Sequence, residues 1–324
     1  MQYKKIKDLN ASAIGFGCWA MGGTWNNVDD DESIRTVHAA IDRGINFFDV
    51  APVYGLGHSE IMLGRALKTQ DRSKLIIASK CGLPWNAEKQ VRNDLSAASI
   101  ERELEESLKR LGTDYLDLLQ VHWPDPNTPL EQTGDALAKI WASGKVRHIG
   151  VCNYSLGDVE ILQEYVDIAS FQGLYNLLEQ DPTHYHNIEL DYRSRSKVLP
   201  FCAENDMKYL PYSPLMQGLL GGDFNASNNF DQNDDRFNNP KLNGDDFTPY
   251  FKCAQQLKAL AEQHQVPLAH LAIQWLVAQA DVGPVIAGAH RVSHAVSNAE
   301  SLDTMLSSTV LDQAQAIVIA ADLA

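Results

Sequence analysis

Leu116-Asp117-Leu118-Leu119-Gln120-Val121-His122 is a short, almost unbroken apolar run. A helical pattern over 130–143, a glycine at Gly144 and a second run, His148-Ile149-Gly150-Val151-Cys152, follow it. The unit reads strand, helix, strand. Short runs without polar alternation are buried on both faces, as in parallel sheets, and a helix between parallel strands makes a right-handed crossover. The same unit recurs in both directions along the chain. Residues 14–17, 46–49, 75–80, 116–122, 148–152, 170–172, 208–212 and 284–288 read as strands. Helical patterns cover 31–43, 99–111, 130–143, 156–165, 196–205, 248–265 and 268–279. The first of these places Ile34, Val37 and Ile41 on one stripe. Ser99 caps the second, with Glu103 about a turn in. Gly44, Gly112 and Gly144 stand just after helices, where a left-handed residue is wanted.

Eight strands in 324 residues give roughly 40 residues per unit, the size expected of a (β/α)8 barrel with insertions. The fold class is therefore α/β, a (β/α)8 TIM barrel with an N-terminal cap segment and a C-terminal helix. No linker or shift in composition divides the chain, which reads as one domain over 1–324. The exception to its regularity is 222–247, crowded with Asn and Asp. A stretch of this kind is a mobile surface excursion or a lid over a site.

Apolar residues make up 44% and charged residues 21%, the balance of a chain with ample core, which excludes disorder. The 27 basic and 42 acidic residues leave a net charge of −15. Such a surface repels phosphate backbones and anionic lipid, so no nucleic-acid or membrane partner is expected. No apolar run approaches the roughly 20 residues of a membrane span. The start, Met1-Gln2-Tyr3-Lys4-Lys5-Ile6-Lys7-Asp8, lacks the apolar stretch of a secretory signal, and a cytoplasmic location is expected. Cys18, Cys81, Cys152, Cys202 and Cys253 form no CxxC pair, against both a disulfide framework and a structural zinc site.

In a barrel of this kind the chemistry lies at the C-terminal ends of the strands. Those ends carry Asp49, Lys80, His122, Asn153, Gln172 and Tyr212. Alone, a strand-end Asp is most often a turn former, and a lone His a satisfied structural residue. Six strands delivering a polar group to one rim is a different matter. Tyr54 lies five residues past Asp49, in a turn-rich loop that returns over the mouth. A phenol of pKa about 10 is a weak acid, and an ammonium beside it stabilises the phenolate. Lys80 supplies that charge, Asp49 pairs with Lys80, and His122 hydrogen-bonds the phenol or a substrate oxygen. The set is a general acid in a positive field, suited to an oxygen on which negative charge develops. Carbonyl reduction by hydride needs both.

These residues sit in segments that resemble the aldo-keto reductases over nearly the full chain. The segments are Gly15-Phe16-Gly17-Cys18-Trp19, Asn46 to Gly55, Ser59-Glu60, Lys80-Cys81-Gly82, Leu108 to Asp117, His122-Trp123-Pro124-Asp125, Gly144 to Tyr154 and Tyr212-Ser213-Pro214-Leu215. The ordered set Asp49, Tyr54, Lys80, His122 is specific to that family. Gln172-Gly173-Leu174-Tyr175-Asn176-Leu177-Leu178 is similar to a bacterial branch with inositol-locus and sugar-related reductases. The resemblance implies an NAD(P)H-dependent carbonyl reductase acting on a small aldehyde or ketone, with no metal. Tyr54 would be its proton donor, Lys80 would lower the phenol pKa, Asp49 would pair with Lys80, and His122 would orient the carbonyl. Asn153 and Gln172 would hold the nicotinamide carboxamide, with Tyr212 on the ring and Trp19 close by. Ser213, Leu215 and Gly218 would line the pyrophosphate path, and Arg236 would help the polar loop clasp the dinucleotide.

Gly288, His290, Arg291, His294 and Asn298 fall at the expected adenosine end, where this chain departs from the family pattern. The Arg often found at the position of His294 is missing, and Ser297 stands where an acid is common. Arg291 remains, with His290 and His294 as partial charges, so NADP(H) is expected and NAD(H) stays open as a second coenzyme. Trp25, Trp85 and Trp123, all in loops after strand ends, would form an aromatic substrate wall suited to a sugar or an aldehyde. Substrate identity and oligomeric state stay open.

Three rival readings compete with this one. Gly15-Phe16-Gly17-Cys18-Trp19-Ala20 matches a dinucleotide fingerprint, but it opens into a loop instead of a helix and is rejected. His184-Tyr185-His186 with Asp181 resembles the histidine pair of barrel metallohydrolases, in a turn context that favours a polar loop. A barrel serving as a non-catalytic nucleotide-sensing subunit, as in potassium-channel accessory proteins, is the third.

Overall fold

The computed structural model describes residues 1–23, 29–225, 230, 232, 234–244 and 246–323, with Asp235 described for its backbone only. The strands are β1 (Tyr3–Ile6), β2 (Leu9–Ser12), β3 (Ile14–Gly17), β4 (Phe47–Asp49), β5 (Ile76–Cys81) and β6 (Leu116–Val121). They continue with β7 (Val146–Cys152), β8 (Ile168–Leu174), β9 (His184–Tyr185), β10 (Ile188–Glu189), β11 (Lys208–Tyr212) and β12 (Val285–Gly288). The helices are α1 (Asp30–Asp42), α2 (His58–Leu67), α3 (Ala97–Leu111), α4 (Leu130–Ala142), α5 (Leu156–Gln163) and α6 (Leu199–Glu204). After these come α7 (Pro240–Asn243), α8 (Phe247–Gln263), α9 (Leu268–Val277), α10 (Val292–Glu300) and α11 (Ser308–Ala320).

Eight parallel strands pair in the order β11-β8-β7-β6-β5-β4-β3-β12. The ring closes where the Tyr209 N–H donates to Asp281 O at 3.0 Å and the Gly283 N–H donates to Tyr209 O at 2.8 Å, just before β12. This is the (β/α)8 barrel expected from the repeating unit. β4, β5, β6 and β8 are buried along their whole length, which is why their sequences do not alternate.

The hairpin β1–β2 plugs one end. Its Ile6, Leu9 and Ala11 join Phe47, Ile76, Ala78, Leu118, Ala169, Leu210 and Ile286 in one apolar cluster, most of them early in their strands. Asp8 in the hairpin turn pairs with Arg147 and His148 at the start of β7, fastening the plug. The opposite end, where the strands finish, carries the polar residues. Outside the strands, α3 shows how the helices dock: Ile100, Leu104, Leu108 and Leu111 make its buried stripe, and Gly112 at φ +67° ends it. Its cap is Ser96, which accepts the Ser99 N–H; Ser99, the expected cap, lies inside the first turn.

Segment 222–247 is partly structured. Asp234 caps the short turn Asp235–Asn238, Asn239 caps α7, and Leu242 is buried. Lys241 of α7 pairs with buried Glu179 at 2.5 Å, and Asn239 Nδ2 donates to Gln217 Oε1 at 2.9 Å. Where a turn was read around His184, the small hairpin β9–β10 forms.

Candidate active site

β4 ends at Asp49 and β5 places Lys80 one residue before its end, side by side at the polar rim. The chain leaving β4 turns back over the mouth because Gly22 and Gly55 pack backbone to backbone. A Cβ on Gly55, at φ +62°, would lie 2.3 Å from Gly22 O. That contact lays the 3₁₀ turn Trp19–Gly22 against the loop carrying Tyr54. The Trp19 and Tyr54 rings meet edge to face with centroids 4.8 Å apart.

Lys80 Nζ donates to Asp49 Oδ1 at 2.6 Å, to the Tyr54 hydroxyl at 3.1 Å and to Val50 O at 3.2 Å, using all three of its protons. All three side chains are buried. Burial works against the charge on Lys80, but adjacent Asp49 outweighs it and holds the ammonium protonated above its usual range. Burial also dominates at Tyr54: it pushes the phenol above its ordinary value, and the opposing pull of Lys80 offsets only part of that rise. This corrects the expectation of a phenol made more acidic overall. Lys80 acts in the expected direction, yet the desolvated hydroxyl keeps its proton. The His122 ring stands edge-on to Tyr54 at 5.7 Å, and burial with Lys80 nearby holds its pKa well below the usual histidine value. The imidazole is neutral, with one N–H to donate.

The second oxygen of Asp49 accepts from Gln172 Nε2 at 2.7 Å and from Gln120 Nε2 at 3.2 Å. Gln120 was not singled out in the sequence, where it hides in an apolar run. The available signal was its spacing, two residues before His122 and so on the same side of the strand. Asn153, at φ +60°, donates to His122 O at 3.4 Å and accepts at Oδ1 from the hydroxyls of Tyr212 and Tyr192, each at 3.0 Å. Tyr192 was also missed, because it comes from the irregular chain after β10.

Beyond Tyr212 the backbone takes a run of left-handed conformations at Ser213, Met216, Gln217 and Gly218. Side chains at Gly218 and Gly288 would meet no atom within 4 Å, which leaves two open stretches of backbone. Leu215 stands between Ser213 and this run. Arg291, at the start of α10, and Arg236 both lie close enough to His290 to disfavour its protonation, after burial itself. His294, 4.4 Å from His290 ring to ring, is pushed down to about 4 by burial, His290 and Arg291. The two histidines are therefore neutral at pH 7, and the partial charge expected of them is not there. Arg236 is held by Asp234 through two bonds, at 2.9 and 2.6 Å. Asn298 Nδ2 donates to Gly288 O at 3.2 Å, tying α10 to β12.

Of the tryptophans expected at the substrate wall, Trp25 lies outside the described residues. Trp85 sits near Arg110, whose guanidinium is 5.8 Å from its ring, and Trp123 is partly buried against the core. His184 and His186 line a cavity of about 550 Å³ with Glu179, Asp181 and Asp246. His186 bonds Gln217, His184 bonds Thr183, and among the described residues no three His, Cys, Asp or Glu side chains converge as metal ligands.

A closed barrel with a buried Asp–Lys–Tyr chain, a neutral histidine beside it and open backbone next to a basic cluster defines a barrel oxidoreductase. The chain belongs to the aldo/keto reductase family, whose profile matches residues 13–319. It is thereby an NAD(P)H-dependent oxidoreductase. It is 36% identical to Aldo-keto reductase YhdN of Bacillus subtilis (strain 168) over 296 residues, 90% of this chain and 86% of that one. It is 30% identical to the NADH-specific methylglyoxal reductase of Escherichia coli (strain K12) over 315 residues, 93% of this chain and 92% of the relative. Among solved structures it is similar to the glycerol dehydrogenase AKR11B4 from Gluconobacter oxydans. That match has a TM-score of 0.87 and 33% identity, covering 98% of this chain and 95% of that one.

Proposed function

We propose that the protein reduces a small aldehyde or ketone, including sugar-derived aldehydes, with Tyr54 as proton donor. The observation that carries this is the hydroxyl of Tyr54 on Lys80 Nζ at 3.1 Å, with Lys80 on Asp49 at 2.6 Å, inside a buried rim. When bound, the coenzyme supplies the hydride. Asn153, Gln172, Tyr212 and Trp19 hold its nicotinamide end. Ser213, Leu215, Gly218 and Arg236 hold the pyrophosphate, and Gly288, His290, Arg291, His294 and Asn298 hold the adenosine end. The open backbone at Gly218 and Gly288 fits this use, since main-chain N–H groups in left-handed turns make concavities for anions.

His122 donates its N–H to the substrate oxygen and fixes the carbonyl. Tyr54 gives that oxygen its proton, and the ammonium of Lys80 stabilises the phenolate left behind. Asp49 keeps Lys80 aligned. Trp25, Trp85 and Trp123 stand in loops around the mouth and wall the substrate. Arg291 is the cation available to a 2′-phosphate, so the enzyme prefers NADPH and also accepts NADH, which carries no such group. A cytoplasmic location accompanies this reading.

Titrating the protein with NADPH and, separately, with NADH while following tryptophan fluorescence tests it, because Trp19 lies beside Tyr54. Saturable quenching by both is expected. Arg291→Ala should weaken NADPH roughly tenfold, the loss of one charge-assisted contact, and leave NADH nearly unchanged. No quenching by either nucleotide overturns the proposal.

A further inference from the structure

Barrel interiors are filled in layers, and each layer draws its side chains from alternate strands. Asp49 of β4, Gln120 of β6 and Gln172 of β8 come from alternate strands of this ring, and they meet in one hydrogen-bonded triangle. A buried amide costs free energy unless it is fully bonded, and Gln120 is 0% exposed. Its nitrogen donates to Asp49 Oδ2 at 3.2 Å, and its oxygen accepts from Gln172 Nε2 at 3.3 Å. The directions are forced by chemistry. A carboxylate only accepts, so both amide nitrogens must face Asp49. Gln172 Nε2 then uses both protons inside the triangle, at 2.7 Å to Asp49 and 3.3 Å to Gln120, and its oxygen is left to turn elsewhere.

We propose that Gln120 is a positioning residue of the carbonyl reduction. It touches neither Tyr54 nor the substrate. It locks Asp49 onto Lys80 from behind and holds the Gln172 amide with its acceptor oxygen toward the mouth, where a carboxamide N–H is to be recognised. One buried glutamine thereby couples the proton-donating side of the site to the coenzyme-holding side. The inference rests on the proposed reductase reading and adds to it a residue that apolar packing alone would not require. Leucine or methionine would fill the volume between Leu118 and His122 at least as well.

The sign of its effect on the proton donor follows. Without the Gln120 N–H, Asp49 carries more uncompensated negative charge. It repels the Tyr54 phenolate more strongly and draws Lys80 further toward itself. Both changes make the phenol a weaker acid and move the alkaline fall of reductase activity to higher pH.

The test is Gln120→Met, with Gln120→Leu as a second variant should the first pack poorly, each checked for native circular dichroism. Expected are a fall in kcat of about tenfold, with KM for the carbonyl compound within about twofold, and several-fold weaker NADPH binding by fluorescence. The alkaline limb shifts upward as well, which a role in packing alone would not produce. In a Gln172→Met background the same change should cost much less, because the two residues act as a unit. Wild-type kcat and an unmoved limb in a folded Gln120 variant overturn the proposal. So do effects that simply add to those of Gln172→Met. Failure of the wild-type protein to bind either nucleotide would instead overturn the reductase reading.

Discussion

Tyr54, Lys80 and His122 each hold the protonation state that the reduction needs before any substrate arrives. Desolvation raises the phenol and depresses the imidazole, while the Asp49 carboxylate keeps the ammonium charged. Glu103 shows the same force outside the reaction. Its carboxyl is buried, with Oε1 accepting the Gly82 N–H at 3.0 Å and Oε2 unpartnered, and burial raises it from 4.5 to about 7. A folded-state pKa above the unfolded one gives stability that is present below the unfolded value and lost as pH rises. Glu103 should therefore cost about 3 kcal/mol between pH 4.5 and 7. Glu103→Gln, which keeps the acceptor for Gly82, should remove that slope from denaturation midpoints measured across the interval. An unchanged slope would contradict the assignment. The sequence displays Asp49, Lys80 and His122 because each closes an apolar run. It conceals Gln120 and Glu103, whose surroundings resemble ordinary core and ordinary helix.

Helices that carry their own caps were the ones the sequence revealed. α1 begins with Asp29, whose side chain accepts two N–H groups, and α3 begins with Ser96. α2 and α10 were not singled out, and both start without a side-chain cap of their own. For α10 the cap comes from another element: Glu32 of α1 accepts the Val292 N–H at 3.1 Å. No local pattern encodes a contact across 260 residues. The polar stretch 222–247 misled for a related reason, since the partners that order α7 lie elsewhere. Glu179, itself held by Asn176, receives Lys241, and Gln217 receives Asn239. These bonds fasten the segment bearing Arg236 over the coenzyme-holding backbone. Lys241→Ala removes a mostly buried ion pair and should speed coenzyme release roughly tenfold in stopped-flow fluorescence. An unchanged release rate would show that the segment does not clasp the dinucleotide.

Across the whole molecule the barrel separates stability from chemistry. One end is sealed by the apolar face of β1–β2, and the other gathers the polar strand ends. This division was legible in the sequence, because parallel strands buried on both faces print as apolar runs and their last residues print as polar punctuation. The loops were less legible, since their order depends on contacts from distant elements. A chain of net charge −15 still brings Arg236 and Arg291 together beside β12, where an anionic coenzyme would need them. All of this assigns the reaction to one hydroxyl. The most direct measurement compares wild type and Tyr54→Phe for coenzyme oxidation with an aldehyde, alongside NADPH affinity by fluorescence. The account predicts a fall in turnover of roughly 10²–10⁴-fold, the usual worth of a general acid, with affinity within about twofold. Turnover that survives in Tyr54→Phe while the coenzyme binds normally would contradict it.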